Sequence, residues 1–181
     1  IHFTGMNHFE RQQAMKNHHS NQNGWRDIGQ HFTIFPDGEI VTGRSLELSP
    51  ACIANQNANS ICIENLGNFD LDGDVMTTAQ KSTIIAVTAA LCVKFNLMPN
   101  ANTIVYHHWF RLDNGFRNNG SGGNKSCPGT NFFGGNKVED FETHFLPLVN
   151  ARISAGQIKS DTSAILKYAC VLADELNVRI L

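Results

Sequence analysis

Residues 106–129 read YHHWFRLDNGFRNNGSGGNKSCPG and follow a short apolar run, Thr103-Ile-Val. β-Branched residues of this kind favour a buried strand, which would deliver His107 at its end. The loop after it is rich in Gly and Asn and closes on Lys125-Ser-Cys127-Pro-Gly, so it can bring a thiolate back beside the imidazole. Histidine and cysteine are ligand types of zinc, and a catalytic zinc site takes about three protein ligands with one position left for water.

His2 is the candidate for a third ligand, because Ile1-His2-Phe is typical of the end of another strand. The competing interpretation is that His107 and His108 are ordinary strand-end histidines and that Cys127 is a small buried residue. Ligands so widely separated along the chain form no compact metal motif, so spacing alone leaves both interpretations open.

The composition limits the possible functions. The chain has 181 residues and a formal charge of −2, which suits one domain with a sizeable core and the start of a second. Without a basic run there is no electrostatic reason to expect a nucleic-acid partner. No apolar run reaches the roughly 20 residues that span a bilayer. Five cysteines without regular spacing do not indicate a disulfide framework.

Apolar periodicity predicts a small set of helices and strands. A capping-box spacing, Thr77 to Gln80, opens the most strongly predicted helix. The other predicted elements are a weak helix over 7–18, a hairpin of 31–35 with 39–42 across Pro36-Asp-Gly, a strand over 60–66 and a helix over 138–145. Together they predict an α/β domain with a mixed sheet.

The predicted sheet brings chemically useful side chains to its strand ends. His2, Glu64 and His107 lie there, and open α/β sheets bind their ligands at such ends. The alternative for Glu64 is a carboxylate that faces solvent on the polar side of its strand. An imidazole inside an apolar strand, as at His31, is usually a hydrogen-bonded core residue. The histidines of the first helix are expected to face water; they are His8, His18 and His19.

The chain resembles the zinc-dependent N-acetylmuramoyl-L-alanine amidases of the amidase-2 type, which include the peptidoglycan recognition proteins and amidases like T7 lysozyme. The resemblance covers roughly residues 1–150 and is specific because several weak motifs occur in one order. These motifs are Ile1-His-x-Thr-Gly5, Trp25-Arg-Asp-Ile-Gly-x-His31-Phe, Pro36-Asp-Gly38 with Gly43-Arg44, Asn59-Ser-Ile-x-Ile-Glu64-x-x-Gly67-Asn-Phe and Lys125-x-Cys127-Pro-Gly.

The resemblance implies a central mixed β-sheet flanked by helices, with zinc held by His2, His107 and Cys127. His107 is preferred to His108 because it matches the family's strand-end histidine, and neighbours on a strand point to opposite faces. The implied substrate is peptidoglycan or a muropeptide, cleaved between N-acetylmuramic acid and L-alanine. This implies action at the cell envelope, in the periplasm or after secretion.

The same resemblance implies roles around the metal. Glu64 would move the proton of the attacking water, and Lys125 would stabilise the oxyanion. The alternative for Lys125 is a solvated loop lysine. Gln30 and His31 are the predicted substrate-binding residues. Gln30 stands where many relatives carry a tyrosine, so Glu64 has to perform the proton transfer. Ala51-Cys52 stands in place of the family's Ala-His.

The two ends of the chain carry separate expectations. We expect part of the first strand and any signal peptide to precede Ile1. Residues 151–163 are predicted to form a linker. Residues 164–181 include Leu176-Asn-Val-Arg and resemble the first strands of a bacterial SH3-like domain that continues past Leu181. A short amphipathic helix is the alternative for this last segment.

Two other functions compete with the amidase. Some peptidoglycan recognition proteins keep the fold, lose the metal and only bind muropeptides; the cysteine is commonly replaced in these, whereas Cys127 is present here. The other competitor is a zinc amidohydrolase with a different N-acyl amino acid or peptide as substrate. Only the resemblance argues against it.

Overall fold

A mixed β-sheet lies at the centre of the fold, in a computed structural model that describes residues 5–156 and 179–180. β1 (Phe32–Ile34) pairs antiparallel with β2 (Ile40–Thr42), which confirms the predicted hairpin. Gly38 closes its turn with a φ of 88°, a conformation that glycine adopts without strain. On its other side β1 pairs in parallel with β4 (Ile63–Asn65), so Thr33 lies opposite Glu64.

A second sheet has two short parallel strands. β3 (Ser60–Ile61) comes just before β4 and pairs in parallel with β5 (Arg179–Ile180). Ile180 also bridges to Ile104 on its other side. Residues 103–106, predicted as a strand, form only this one bridge. It is held by the amide of Ile180, which donates to the carbonyl of Thr103, and by the amide of Val105, which donates to the carbonyl of Ile180.

Helix α1 spans His8–Asn23 and begins with a capping box in which Asn7 and Glu10 bond each other's amides. It ends at Gly24, whose φ is 67°, as the Asn/Gly cluster predicts. It confirms the predicted helix and extends it by several residues. The predicted water-facing position of its histidines is wrong for His19, which lines the cavity described below, and for His8, whose ring stacks on that of Phe35.

Helix α2 spans Thr78–Lys94, and the Thr77 hydroxyl accepts the amide of Gln80 at 3.0 Å. The Gln80 side chain does not complete a capping box. It donates instead to the carbonyls of Ile34 at 3.2 Å and Leu66 at 3.0 Å, which fixes α2 on the sheet.

A further helical stretch follows the long loop, as predicted. It comprises α3 (Val138–Asp140), a π-helical turn (Phe141–Phe145) and α4 (Leu146–Ser154). α4 therefore extends into the range predicted as a linker from residue 151. Most of the predicted linker and of the predicted SH3-like segment lies outside the described residues; β5 is the described part of the latter.

An aromatic core joins these layers. Trp109 is fully buried, and its indole N–H donates to the carbonyl of Asn136 at 2.8 Å. Its ring lies 4.9 Å from that of Tyr106 and 5.5 Å from that of Phe141. Because His107 and His108 lie between Tyr106 and Trp109, this packing fixes the histidine turn. No helix among the described residues is both long and apolar enough to cross a membrane.

Candidate active site

A cavity of about 510 Å³ collects most of the predicted functional residues. It is lined by β4, by the turn that begins at His107 and by the loop that closes on Cys127. Glu64, His107, Lys125 and Cys127 all line it. The fifth residue of the predicted catalytic centre, His2, lies outside the described residues.

A 3-10 turn, and not a strand end, presents His107 to the cavity. The turn spans His107–Trp109. His108 is turned to the loop instead, where its Nδ1 donates to the carbonyl of Lys125 at 2.7 Å. A Cβ on Gly120 would lie 2.4 Å from His108 Nε2, so only glycine allows this approach. The structure thus separates the two histidines by the geometry of a turn, and only His107 lines the cavity.

The Cys127 loop is tied to the same turn. The amide of His108 donates to the carbonyl of Cys127 at 2.7 Å, and the side chain of Asn124 donates to the carbonyl of His108 at 2.6 Å. These bonds hold the backbone of His108 beside that of Cys127. The imidazole of His107 and the thiol of Cys127, which are far apart in sequence, therefore line the same cavity.

Burial governs the charges of the cavity. It lowers the pKa of His107 to about 4, with a smaller contribution from Lys125, so the ring is neutral at pH 7. It also raises the pKa of the Cys127 thiol to about 12, assisted by the Glu64 carboxylate. The pKa of Glu64 is raised by burial and lowered by Lys125, burial being the larger effect. Glu64 and Cys127 are nevertheless exposed at the surface of the cavity, so protein atoms surround them without covering them.

The donor set suits zinc as far as the structure describes it. A neutral imidazole and a sulfur ligand are two of the groups that zinc binds. Residues 5–156 and 179–180 contain no complete group of three His, Cys, Asp or Glu side chains that could hold a metal. A three-ligand site would need one ligand from outside these residues, and His2 stays the predicted one.

The two predicted substrate-binding residues are held in other contacts. His31 is 1% exposed; its Nδ1 accepts the amide of Cys62 at 3.0 Å and its Nε2 donates to the carbonyl of Leu48 at 3.0 Å. Both ring nitrogens are thus bonded within the protein, and His31 joins strand and loop; its substrate contact stays a prediction. Gln30 lines the cavity, but its side-chain amide donates to the hydroxyl of Thr33 at 3.0 Å.

A disulfide joins Cys52 to Cys62 at the cavity wall. The sequence analysis did not predict this disulfide. An odd number of cysteines without regular spacing does not reveal a single pair separated by 10 residues. The bridge joins the loop that contains Ala51 to the residue between β3 and β4, two positions before Glu64. Of the other described cysteines, Cys92 is buried and free.

His19 and Trp25 were not predicted as site residues, yet both line the cavity. Trp25 belongs to a family motif, which was the available signal. No local pattern indicated His19, since its position depends on how α1 lies against the loop.

Comparison with known proteins identifies relatives. The family model described as N-acetylmuramoyl-L-alanine amidase matches residues 1–130. Peptidoglycan-recognition protein SC2 of Drosophila melanogaster is 31% identical over 121 residues, which are 67% of this chain and 58% of the relative. This chain therefore spans less than two thirds of that relative's length.

Solved structures give matches of lower coverage. The amidase LysC of Clostridium intestinale is 32% identical, with a TM-score of 0.44 over 48% of this chain and 56% of LysC. Drosophila PGRP-LB is 23% identical, with a TM-score of 0.45 over 52% of this chain and 54% of its own.

Proposed function

Because the chain belongs to the N-acetylmuramoyl-L-alanine amidase family, we propose that it hydrolyses the amide between N-acetylmuramic acid and L-alanine in peptidoglycan or muropeptides. The observation that supports this most is the shared cavity of Glu64, His107, Lys125 and Cys127. Each supplies a group that amide hydrolysis needs.

His2, His107 and Cys127 are the proposed zinc ligands. The bound zinc would supply a Lewis acid for the scissile carbonyl and the attacking water. His107 is neutral at pH 7 because burial lowers its pKa to about 4, so its ring needs to lose no proton on binding. The Cys127 thiol must lose its proton, since the thiolate is the ligand form.

Glu64 is the proposed proton carrier. As the oxygen of water bonds to the carbonyl carbon, Glu64 takes the proton of that water. It then gives this proton to the nitrogen of L-alanine as the carbon–nitrogen bond breaks. Gln30 cannot share this work, because an amide neither takes up nor releases a proton near pH 7 and its side chain is bonded to Thr33.

Lys125 is the proposed oxyanion partner. Of the described residues that line the cavity, it is the only one with an ammonium or guanidinium group. A cation that stabilises the tetrahedral intermediate more than the substrate lowers the barrier. Its charge also opposes the effect of burial on the pKa of Glu64.

A non-catalytic recognition module is the second candidate, since relatives such as the SC2 protein are named for recognition. The presence of both Cys127 and His107 at the cavity favours the enzyme over this module. The Cys52–Cys62 disulfide favours an oxidising compartment, so we place the activity at the cell envelope or outside the cell.

Metal analysis combined with a muropeptide digest tests the proposal. We expect about one zinc per chain and release of the stem peptide, and we expect chelation to abolish the release. Cys127→Ala should lose both zinc and activity. Cys92→Ala is the matched control, because it removes another free thiol outside the cavity. Stoichiometric zinc and full activity in Cys127→Ala would remove this residue from the site.

A further inference from the structure

His108 contacts the loop that closes on Cys127 through its ring, its amide and its carbonyl. The ring Nδ1 donates to the carbonyl of Lys125 at 2.7 Å. The amide donates to the carbonyl of Cys127 at 2.7 Å, and the carbonyl accepts from the side chain of Asn124 at 2.6 Å. A single residue thus bonds this loop at both proposed functional positions, and the mechanism above leaves its side chain without a role.

Only the ring bond depends on which side chain stands at position 108. Every residue except proline has the same backbone donor and acceptor, so a substitution keeps the groups that bond Cys127 and Asn124. The carbonyl of Lys125 can only accept a hydrogen bond, and the proton is therefore on Nδ1. The side chain of His108 acts on the backbone of Lys125 and not on that of Cys127.

The chain just before Lys125 is conformationally permissive. Gly122 and Gly123 have φ values of 115° and 68°, and a Cβ on either would meet no atom within 4 Å. Glycine in open space can adopt many backbone conformations, and fixing one of them costs entropy. The bond from His108 is made at Lys125 itself, so it fixes the point from which the lysine side chain extends.

Gly120 holds the ring of His108 from another side. A Cβ on Gly120 would lie 2.4 Å from Nε2 and 2.8 Å from Cδ2 of that ring. The loop therefore passes directly over the imidazole, which is half-buried. With Nε2 against Gly120 and Nδ1 bonded to Lys125, the ring is held in one orientation.

The charge of Lys125 reaches the groups that carry out the proposed chemistry. Lys125 lines the cavity together with Glu64 and His107. Burial has the largest effect on the pKa values of these two residues, and the lysine charge lowers both. The position of this ammonium group therefore matters for the electrostatics of the whole cavity.

We propose that His108 is a positioning residue for Lys125, an inference that rests on the oxyanion role proposed above. A lysine has a flexible four-carbon stem, so its ammonium group samples a wide region unless the backbone beneath it is fixed. Electrostatic stabilisation of an oxyanion requires the cation to be in place before the charge develops. By holding the carbonyl of Lys125, the ring of His108 keeps the ammonium group at the cavity.

Kinetics in two backgrounds test whether His108 acts through Lys125. In the wild-type background we expect His108→Gln to lower kcat on a soluble muropeptide about 10-fold with little change in KM, less than the roughly 10²–10³-fold cost of losing an oxyanion donor outright. In the Lys125→Met background the same substitution should leave kcat unchanged, because the group that it positions is already gone.

His108→Asn is the rescue variant. The amide nitrogen of asparagine is bonded to Cγ, as Nδ1 of histidine is, so it can donate to the carbonyl of Lys125; that of glutamine lies one atom further out. We expect His108→Asn to keep kcat close to the wild-type value. Zinc content should be unchanged in both variants, since the bond to Cys127 comes from the backbone. His144→Gln is the control, because His144 is exposed and does not line the cavity.

Limited proteolysis tests the ring bond without turnover. Trypsin cleaves after lysine and arginine, and the carbonyl that it attacks at Lys125 is the one that accepts from His108 Nδ1. We expect cleavage after Lys125 to be faster in His108→Gln than in wild type or His108→Asn. Cleavage after Lys94, at the end of α2, should be equal in all three proteins and serves as the internal reference.

The outcomes separate this inference from the proposed function. An equal loss of kcat in both backgrounds, or a loss of zinc in His108→Gln, overturns the positioning of Lys125. Full turnover in Lys125→Met rejects the oxyanion role and this inference with it. If the wild-type protein releases no stem peptide, the amidase function has failed and proteolysis decides alone. Selectively faster cleavage after Lys125 in His108→Gln then supports the anchor, and equal cleavage overturns it.

Discussion

The carboxylate of Asp70 accepts a hydrogen bond from the hydroxyl of Ser126 at 2.9 Å. It also accepts the amide of Thr130 at 3.0 Å, so one side chain bonds both sides of the Cys127-Pro128-Gly129 turn. These bonds lower the pKa of Asp70, the Thr130 amide having the larger effect. Asp70 thereby positions the turn that presents Cys127.

Replacing Asp70 should therefore weaken metal binding without touching the metal. We expect Asp70→Ala to lower zinc affinity by about 10-fold, the lower end of the range for residues that orient metal ligands. Competition with a coloured chelator measures this affinity. Asp72→Ala is the matched control, because it removes the same charge from the same loop and Asp72 has no recorded bond to another described residue. Equal zinc affinities of the two variants would contradict the positioning role.

Glu64 is expected to be essential for turnover and dispensable for the metal. Glu64→Gln keeps the size of the side chain and removes its ability to take a proton. Turnover should fall by roughly 10²-fold or more, as expected for the loss of a general base, while zinc content stays at the wild-type level. Steady-state hydrolysis of a soluble muropeptide gives kcat.

Gln30→Ala is the comparison for the Glu64 variant. Gln30 lines the same cavity but donates to Thr33, so its removal should change kcat much less. Near-normal turnover in Glu64→Gln would show that this carboxylate merely faces the water of the cavity.

Sequence patterns predicted the parts of this fold that depend on near neighbours. The hairpin around Gly38 and the start of α2 at Thr77 are set by residues a few positions apart, and both were found. The position of His19 on the cavity depends on how α1 packs against residues far along the chain, and no local pattern carries that information. The separation of His107 from His108 was predicted from strand alternation, but a 3-10 turn produces it.

Two other contacts were not predicted from spacing or from the resemblance. The Cys52–Cys62 pair was missed because spacing does not tell which cysteines meet in space. The predicted substrate contact of His31 came from the resemblance, whereas its place inside β-structure had indicated a buried, hydrogen-bonded ring. Burial and bonds to Cys62 and Leu48 bear out that second interpretation.

His31 should make stability fall in mild acid. Burial lowers its pKa below the ordinary value of about 6.5, and protonation of Nδ1 would break the bond from the Cys62 amide. The unfolded chain then binds more protons than the folded chain between the two pKa values. The stability that the neutral ring contributes is complete above about pH 6.5 and is lost as the pH falls through this window.

Urea unfolding at several pH values between 7.5 and 5 measures the effect. One proton taken up on unfolding corresponds to a slope of about 1.4 kcal/mol per pH unit. His31→Gln should flatten this slope, whereas the exposed His18→Gln should leave it as in wild type. If the free energy of unfolding changed equally with pH in wild type, His31→Gln and His18→Gln, the acid sensitivity would belong to groups other than His31.

The contacts of Ile180 show which part of the protein β5 packs against. Its side chain is 3% exposed, and its backbone pairs with Ile61 on one side and Ile104 on the other. Its amide donates to the carbonyl of Thr103 at 2.8 Å, and its carbonyl accepts the amide of Val105 at 3.0 Å. Ile180 is thus in the sheet that leads to His107.

Ile180→Ala should accordingly destabilise the amidase domain by about 3 kcal/mol, within the range for truncating a buried isoleucine. For a chain of this size that lowers the melting temperature by roughly 6–12 °C. Val93→Ala is the control, since Val93 is 51% exposed on α2. A separate SH3-like domain beginning at residue 164, as proposed from the sequence, predicts instead that the amidase domain melts as in wild type. Differential scanning calorimetry separates the two, because only a residue of the amidase sheet can move the transition of that domain.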